Sequence, residues 1–179
     1  GIMKNSYDKI GKILVSEDEI KSKLEEMGQA IAEDYEGKSP LIIGVLKGAF
    51  IFMADLIRAI PIDCEVDFMA VSSYGAATKS SGVVRIIKDL DIDLTDRHVI
   101  LVEDIIDSGL TLSYLRKNLL ARKPASLEIC AMFIKKDLQK ANIDCKYEGF
   151  SIPPDFVVGY GLDARENLRG LKYLAEYKN

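Results

Sequence analysis

Tryptophan is absent from this 179-residue sequence, histidine occurs once, at His98, and cysteine three times, at Cys64, Cys130 and Cys145. A single histidine argues against a zinc centre built on several imidazoles and leaves a Ser-His-Asp triad only one candidate base. An odd number of cysteines without C-x-x-C spacing points to reduced thiols in a cytoplasmic protein. No apolar run approaches the roughly 18 residues needed to span a bilayer, and no secretory pattern opens the sequence, so no membrane association is expected. There is no basic excess either: 24 Lys and Arg face 28 Asp and Glu, for a net charge of −4. Binding to nucleic acid through the overall charge is therefore not expected. A polyanionic substrate would have to be met locally, by a few Lys, Arg or backbone N–H groups, or through a metal ion. The sequence has no G-x-x-x-x-G-K-[ST] Walker loop and no dinucleotide-binding glycine fingerprint. It shows no internal repeat, low-complexity tract or linker, so a single domain over residues 1–179 is expected.

The composition is that of a globular, soluble protein, 48% hydrophobic and 29% charged. Ser16-Glu17-Asp18-Glu19 reads as a helix capping box. Ile20, Leu24, Met27, Ile31 and Tyr35 follow at spacings of three and four, and Gly37 is placed to end the helix. Leu41–Leu46 (LIIGVL) is a short apolar run suited to a strand covered on both faces. Ala49–Ile60 reads as a helix stopped by Pro61, and Cys64–Ser72 as a strand. Ser72–Gly82 is rich in Gly, Ser, Ala and Thr and reads as a mobile loop. Val83–Lys88 and His98–Val102 resume as strands. Thr111–Arg122 is a helix with Leu112, Leu115 and Leu119 on one side, closed by Pro124, and Ser126–Ile134 and Phe156–Gly159 are further strands. Alternating helices and strands predict an α/β fold with a mainly parallel sheet. In such sheets, ligands bind outside the carboxyl ends of the strands.

Val102–Thr111 (VEDIIDSGLT) carries the chemistry. A buried-type strand ends in two adjacent carboxylates, Glu103 and Asp104. Asp107-Ser108-Gly109-Leu110-Thr111 then leads into the next helix. The helix start offers free N–H groups and the positive end of the dipole, which suit a phosphate. Gly109 permits a close backbone approach, and Ser108 and Thr111 add hydroxyls. The carboxylates would repel a bare phosphate but suit neighbouring hydroxyls or a hydroxyl-bound magnesium ion. Together these features describe a site for ribose 5-phosphate. Residue by residue, a helix N-cap at Asp107 or Ser108 and a solvated strand end at Glu103-Asp104 remain the plainer alternatives. The combined pattern of two acids, two apolar residues, a third acid and a glycine goes beyond what those alternatives require.

This segment resembles the phosphoribosyl-pyrophosphate motif of type I phosphoribosyltransferases, and its VEDIIDSG form is most similar to the hypoxanthine-guanine members. Leu46-Lys47-Gly48 resembles the family's pyrophosphate loop, and Ser73-Tyr74 the dipeptide of its flexible lid. Lys135 matches the purine-reading lysine. Asp155-Phe156-Val157-Val158-Gly159 with Leu162-Asp163 matches the purine-stacking and metal-binding segment. Arg169 matches a pyrophosphate-binding arginine. These elements run in the family's order from about Leu41 to Arg169. The sequence departs from the pattern at Leu110, a position that is basic in some members, and at Ala49, where many have a second glycine.

The resemblance implies a mainly parallel central sheet flanked by helices, with a small hood formed by the terminal segments and the flexible loop. It implies a purine salvage enzyme that transfers 5-phosphoribosyl from phosphoribosyl pyrophosphate to hypoxanthine or guanine, giving IMP or GMP and pyrophosphate. Asp107 is the implied general base. Glu103, Asp104, Asp107, Ser108, Gly109, Leu110 and Thr111 would hold ribose and phosphate. Lys47, Gly48 and Arg169 would hold pyrophosphate, and Lys135, Phe156 and Val157 the purine. Glu103, Asp104 and Asp163 would surround Mg2+. A cis Leu46–Lys47 peptide and a cytoplasmic homodimer or homotetramer are further expectations of the family.

Two other readings compete. Some proteins of this fold bind nucleotides and RNA as regulators of pyrimidine genes, and the acidic net charge weighs against that role. A receiver-type domain could use Asp104 and Lys135, but that leaves Asp163, Arg169 and the Ser-rich loop unexplained.

Overall fold

The computed structural model describes residues 5–73 and 84–178. In chain order its elements are β1 (Ile10–Val15), α1 (Glu17–Asp34), β2 (Leu41–Leu46), α2 (Phe50–Ala59), β3 (Glu65–Ser73), β4 (Val84–Lys88), β5 (His98–Ile106), α3 (Leu110–Leu120), β6 (Ser126–Ile134), β7 (Tyr147–Ser151), β8 (Val157–Val158) and β9 (Leu174–Tyr177). Six strands form one sheet in the order β4-β3-β2-β5-β6-β7. All its pairings are parallel except β3 with β4.

The apolar runs of the central strands are buried on both faces. Along β5, Ile100 and Val102 join a cluster with Ile20 and Leu24 of α1 and Phe52 and Leu56 of α2. Val99 and Leu101 face the other way, toward Leu112, Leu115 and Leu119 of α3. The strand period of two thus serves two cores at once, which is why these strands read as continuous apolar runs. The capping box of α1 forms in both directions: the Glu19 N–H donates to Ser16 Oγ at 3.1 Å, and the Ser16 N–H to Glu19 Oε1 at 3.0 Å. A cap of this kind contributes about 1 kcal/mol. The three cysteines are free thiols, with Cys130 fully buried. Among the described residues no helix is long and apolar enough to cross a membrane.

Three features differ from the sequence reading. β5 does not stop at Val102: it runs to Ile106 because Ile105 and Ile106 continue the ladder against Phe133 and Ile134 of β6. Its pairing with β2 ends at Gly44↔Val102, so the extension is held from one side only. The Phe156–Gly159 strand shortens to β8 and lies outside the main sheet. It forms the edge of a three-stranded antiparallel sheet, β1-β9-β8. β1 and β9 come from opposite ends of the chain, and their pairing supplies the expected hood of terminal segments. β1, β7 and β9 carry weak local strand signals and exist through partners far away in sequence.

Candidate active site

Beyond Gly44↔Val102, where β2 and β5 cease to pair, the side chains of β5 open onto a cleft of about 570 Å3 lined by Glu103, Asp104, Asp107, Ser108, Thr111 and Lys135, among others. Glu103 and Asp104 are therefore strand residues flanking a gap in the sheet, rather than a solvated strand end. Burial raises the Glu103 carboxyl well above its usual range, and the charges of Asp104 and Asp107 add to the effect. Burial likewise lifts Asp104 to about 6, against the lowering effect of the Ile105 N–H, which donates to Asp104 Oδ1 at 2.7 Å. Asp107 raises it further, and the positive charge of Arg169 opposes the rise. Two crowded, desolvated carboxylates favour a partner that brings positive charge or hydroxyl donors.

The turn after β5 leaves the start of α3 open. Gly109 is the N-cap residue, in the left-handed region at φ 81°, and no side chain caps the helix. The plainer alternative, a side-chain N-cap at Asp107 or Ser108, is therefore not what forms. Ser108 Oγ accepts from the Leu110 N–H, at 3.3 Å. The requirement for glycine at 109 also has a second source: a Cβ there would lie 2.8 Å from Ile143 Cγ1, so packing beneath the turn constrains it as well. The Ser108 carbonyl accepts from the N–H groups of Lys140 and Ala141, at 2.8 and 3.1 Å. These bonds bring the segment after β6 to the cleft, and Lys140 lines it. Lys140 was not singled out in the sequence, since nothing local distinguishes it from other exposed lysines.

Lys135 follows β6 and, with Asp67, is one of two buried polar or charged residues among those described. Asp67 is satisfied by the N–H groups of Phe68, Asp91 and Ile92. Lys135 has an ion pair instead, its Nζ 3.4 Å from Asp107 Oδ1. A buried ammonium with one half-exposed carboxylate for company is costly unless the site uses it. Phe156 is 47% exposed, and its ring packs edge-on against Tyr177 at 5.6 Å. Tyr177 thus braces the predicted stacking residue from the chain terminus, a role that no sequence motif indicates. The side chain of Val157 is buried. The Tyr177 N–H donates to the Phe156 carbonyl. Antiparallel alternation therefore turns the N–H and C=O of Val157 away from β9, to the open edge.

The remaining residues form a second group beside the carboxylates. The Leu46–Lys47 peptide is cis, as expected. Gly48 packs against Asp104, and Gly161 packs against the Gly48 carbonyl. Arg169 donates to the Gly161 carbonyl at 2.7 Å, and its Nη2 lies 3.6 Å from Asp163 Oδ1. Lys47 Nζ is 3.1 Å from Glu166 Oε2, which is also 3.3 Å from Arg169 Nη2. These cations, Lys47 first, hold the Glu166 carboxyl below its usual range. Glu166 was not among the residues marked in the sequence, because its partner Lys47 lies 119 positions away. Among the described residues, no three His, Cys, Asp or Glu side chains converge on a common metal position. Glu103 and Asp104 stand together, and Asp163 belongs to the arginine. Ser73 ends β3, while Tyr74 lies outside the described residues. The single histidine sits at the far end of β5, with Nδ1 2.7 Å from Ser126 Oγ. A groove of similar size, about 530 Å3, between α1, α2 and the Tyr160–Leu171 region includes none of the expected site residues.

The parallel sheet thus opens at the carboxyl end of β5 onto paired carboxylates and an uncapped helix start. Residues 9–165 match the phosphoribosyl transferase domain, and the chain belongs to the phosphoribosyltransferase family. It is 50% identical over 171 residues to the hypoxanthine-guanine phosphoribosyltransferase of Mycobacterium tuberculosis (strain ATCC 25618 / H37Rv), covering 92% of this chain and 85% of that protein. To the protein of the same name from Bacillus subtilis (strain 168) it is 50% identical over 169 residues, covering 94% of each. The fold superposes on a hypoxanthine phosphoribosyltransferase from Staphylococcus aureus with a TM-score of 0.93 at 42% identity, covering 96% of this chain and 94% of the other.

Proposed function

We propose that this chain is a purine salvage enzyme that transfers 5-phosphoribosyl from phosphoribosyl pyrophosphate to hypoxanthine or guanine. The bond between the anomeric carbon and pyrophosphate breaks, and a bond from that carbon to an imidazole nitrogen of the purine forms. The observation that carries this reading is Lys135, a buried ammonium 3.4 Å from Asp107, in the same cleft as Glu103, Asp104 and the open start of α3. Lys135 donates to the 6-oxo group, which favours hypoxanthine and guanine over adenine. Asp107 accepts the proton of the imidazole N–H as the new bond forms. Phe156 stacks on the base, and the backbone of Val157 meets its opposite edge. Ser108, Thr111 and the N–H groups of the Gly109–Thr111 turn hold the 5-phosphate.

Glu103 and Asp104 accept from the ribose hydroxyls. Lys47, Gly48 and Arg169 hold the pyrophosphate, stabilising the charge that develops on the leaving group. Magnesium suits hard oxygen ligands such as the carboxylates of Glu103 and Asp104, with Asp163 farther off beside Arg169, and burial leaves the Glu103 and Asp104 carboxyls in need of positive charge. With few protein ligands at any one point, most of its coordination would come from substrate oxygens. When bound, the ion supplies charge neutralisation at the pyrophosphate. We place the enzyme in the cytoplasm as a homodimer or homotetramer with one catalytic domain over residues 1–179.

The test is pyrophosphate release in the presence of phosphoribosyl pyrophosphate, magnesium and, separately, hypoxanthine, guanine and uracil. Turnover with either purine and none with uracil is expected. No turnover with any purine would overturn the proposal.

A further inference from the structure

The contact between Glu166 and the two cations assigned to pyrophosphate is unusual in its arrangement. One oxygen, Oε2, bridges Lys47 Nζ at 3.1 Å and Arg169 Nη2 at 3.3 Å, and the second, Oε1, also lies 3.3 Å from Arg169 Nη2. An anionic oxygen shared by a lysine and an arginine is the arrangement those cations would give a phosphoryl oxygen.

The backbone holds the carboxylate there. Arg165 and Glu166 both adopt positive φ, 51° and 68°, a conformation that L side chains avoid. They form the two central positions of a tight turn closed by reciprocal bonds between Ala164 and Asn167, each 3.0 Å. Two positive φ values at those positions define a primed turn, which usually takes Asn-Gly or Gly-Gly. The Glu166 N–H is further pinned by Asp163 Oδ2 at 2.8 Å. An exposed surface ion pair has no need of so costly a backbone.

We propose that Glu166 is a built-in stand-in for pyrophosphate: its carboxylate takes the anion position shared by Lys47 and Arg169 and competes with pyrophosphate for it. The inference rests on the assignment of Lys47 and Arg169 to pyrophosphate. Glu166 keeps the lysine and arginine facing each other when no pyrophosphate is bound. A carboxylate carries one negative charge and loses to magnesium pyrophosphate, which carries more, but it lowers the net affinity. The benefit is faster release of a tightly charged product. The site would also retain adventitious monoanions less well.

The test is calorimetric titration of magnesium pyrophosphate into the wild type and into Glu166→Gln, Glu166→Gly, Lys47→Ala and Arg169→Ala. Glu166→Gln keeps the side-chain length and removes the charge. Glu166→Gly removes the competitor and relaxes the left-handed turn, so one folded variant suffices if the other fails to fold. Both should bind pyrophosphate about 10-fold more tightly than the wild type. The KM for pyrophosphate in the reverse reaction should fall in parallel, while affinity for the nucleoside monophosphate stays within about twofold. A purely structural role for Glu166 would lower thermal stability or kcat without tightening pyrophosphate binding. Unchanged or weaker binding in the folded Glu166 variants, with binding lost in Lys47→Ala and Arg169→Ala, overturns the stand-in alone. If neither cation variant weakens binding, the pyrophosphate assignment itself fails, and the stand-in with it.

Discussion

The α-carbon of Gly48 lies against the carboxylate of Asp104 so closely that a methyl group on Gly48 would collide with Oδ2. The loop after β2 and the extension of β5 thus share a wall, and the loop that carries Lys47 borders the Glu103–Asp104 pair directly. Gly161 continues the wall behind the Gly48 carbonyl, and Arg169 reaches back to bond the Gly161 carbonyl. Three chain segments therefore meet at one point with no spare volume.

Substituting Gly48→Ala should displace either Asp104 or the loop that carries Lys47. A shift of about 1 Å in a positioning group can cost on the order of 100-fold in rate. Steady-state kinetics should show kcat/KM for phosphoribosyl pyrophosphate falling by roughly that factor. Near-normal kinetics would mean that the Gly48–Asp104 contact has no part in catalysis.

Asp107→Asn should lower kcat by about 100-fold or more, the range expected for loss of a general base. The dissociation constant for phosphoribosyl pyrophosphate, measured by fluorescence or calorimetry, should stay within a few-fold. The side chain is 56% exposed and faces Lys135, so the fold should tolerate the change. Full turnover in the variant would remove Asp107 from the chemistry.

Lys135→Met removes a buried ammonium, at little cost to folding, because its one charged partner among the described residues is a half-exposed aspartate. Loss of a charged hydrogen bond to the 6-oxo group should reduce kcat/KM for hypoxanthine by roughly 10- to 100-fold. The ratio of hypoxanthine to adenine use should fall with it. An unaltered purine preference, measured by competition between the two bases, would contradict the assignment.

The carboxylate pair should make the substrate-free protein less stable as pH rises. Burial lifts Asp104 to about 6, from an ordinary value of 3.8, and Glu103 moves in the same direction. Between those two pH values the folded state holds more protons than the unfolded chain, so stability falls as pH rises. For Asp104 the penalty is complete above about 6 and absent below 3.8. Asp104→Asn escapes it, and should exceed the wild type in stability at pH 7 by on the order of 1–3 kcal/mol. The gap should close toward pH 4. Denaturant unfolding of both proteins across this range measures it, and a gap independent of pH would show that the carboxylate is not destabilised in the fold.

Local chemistry made much of the fold legible. The capping box at Ser16–Glu19 and the apolar period that follows depend on residues three and four apart, and α1 forms as they predict. The runs Leu41–Leu46 and Ser126–Ile134 become β2 and β6 with the same bounds. Strands covered on both faces need no distant information to be recognised as apolar. The acids, turn and glycine of Val102–Thr111 likewise fall on one cleft, because residues adjacent at a strand end stay together in the fold.

The amino-acid sequence by itself determined the α/β alternation, the central strands and the side chains competent to meet hydroxyls, phosphate and a purine. Tertiary structure alone decided how far β5 extends, since β6 supplies the ladder beyond Val102. It also decided that β1 and β9 join β8 in a hood, bringing Tyr177 behind Phe156. It alone placed Glu166 between Lys47 and Arg169. The physical reason is the same in each case: strand pairing and charge pairing are contacts between partners distant in sequence. Their geometry exists only once the two cores have packed and set the distances.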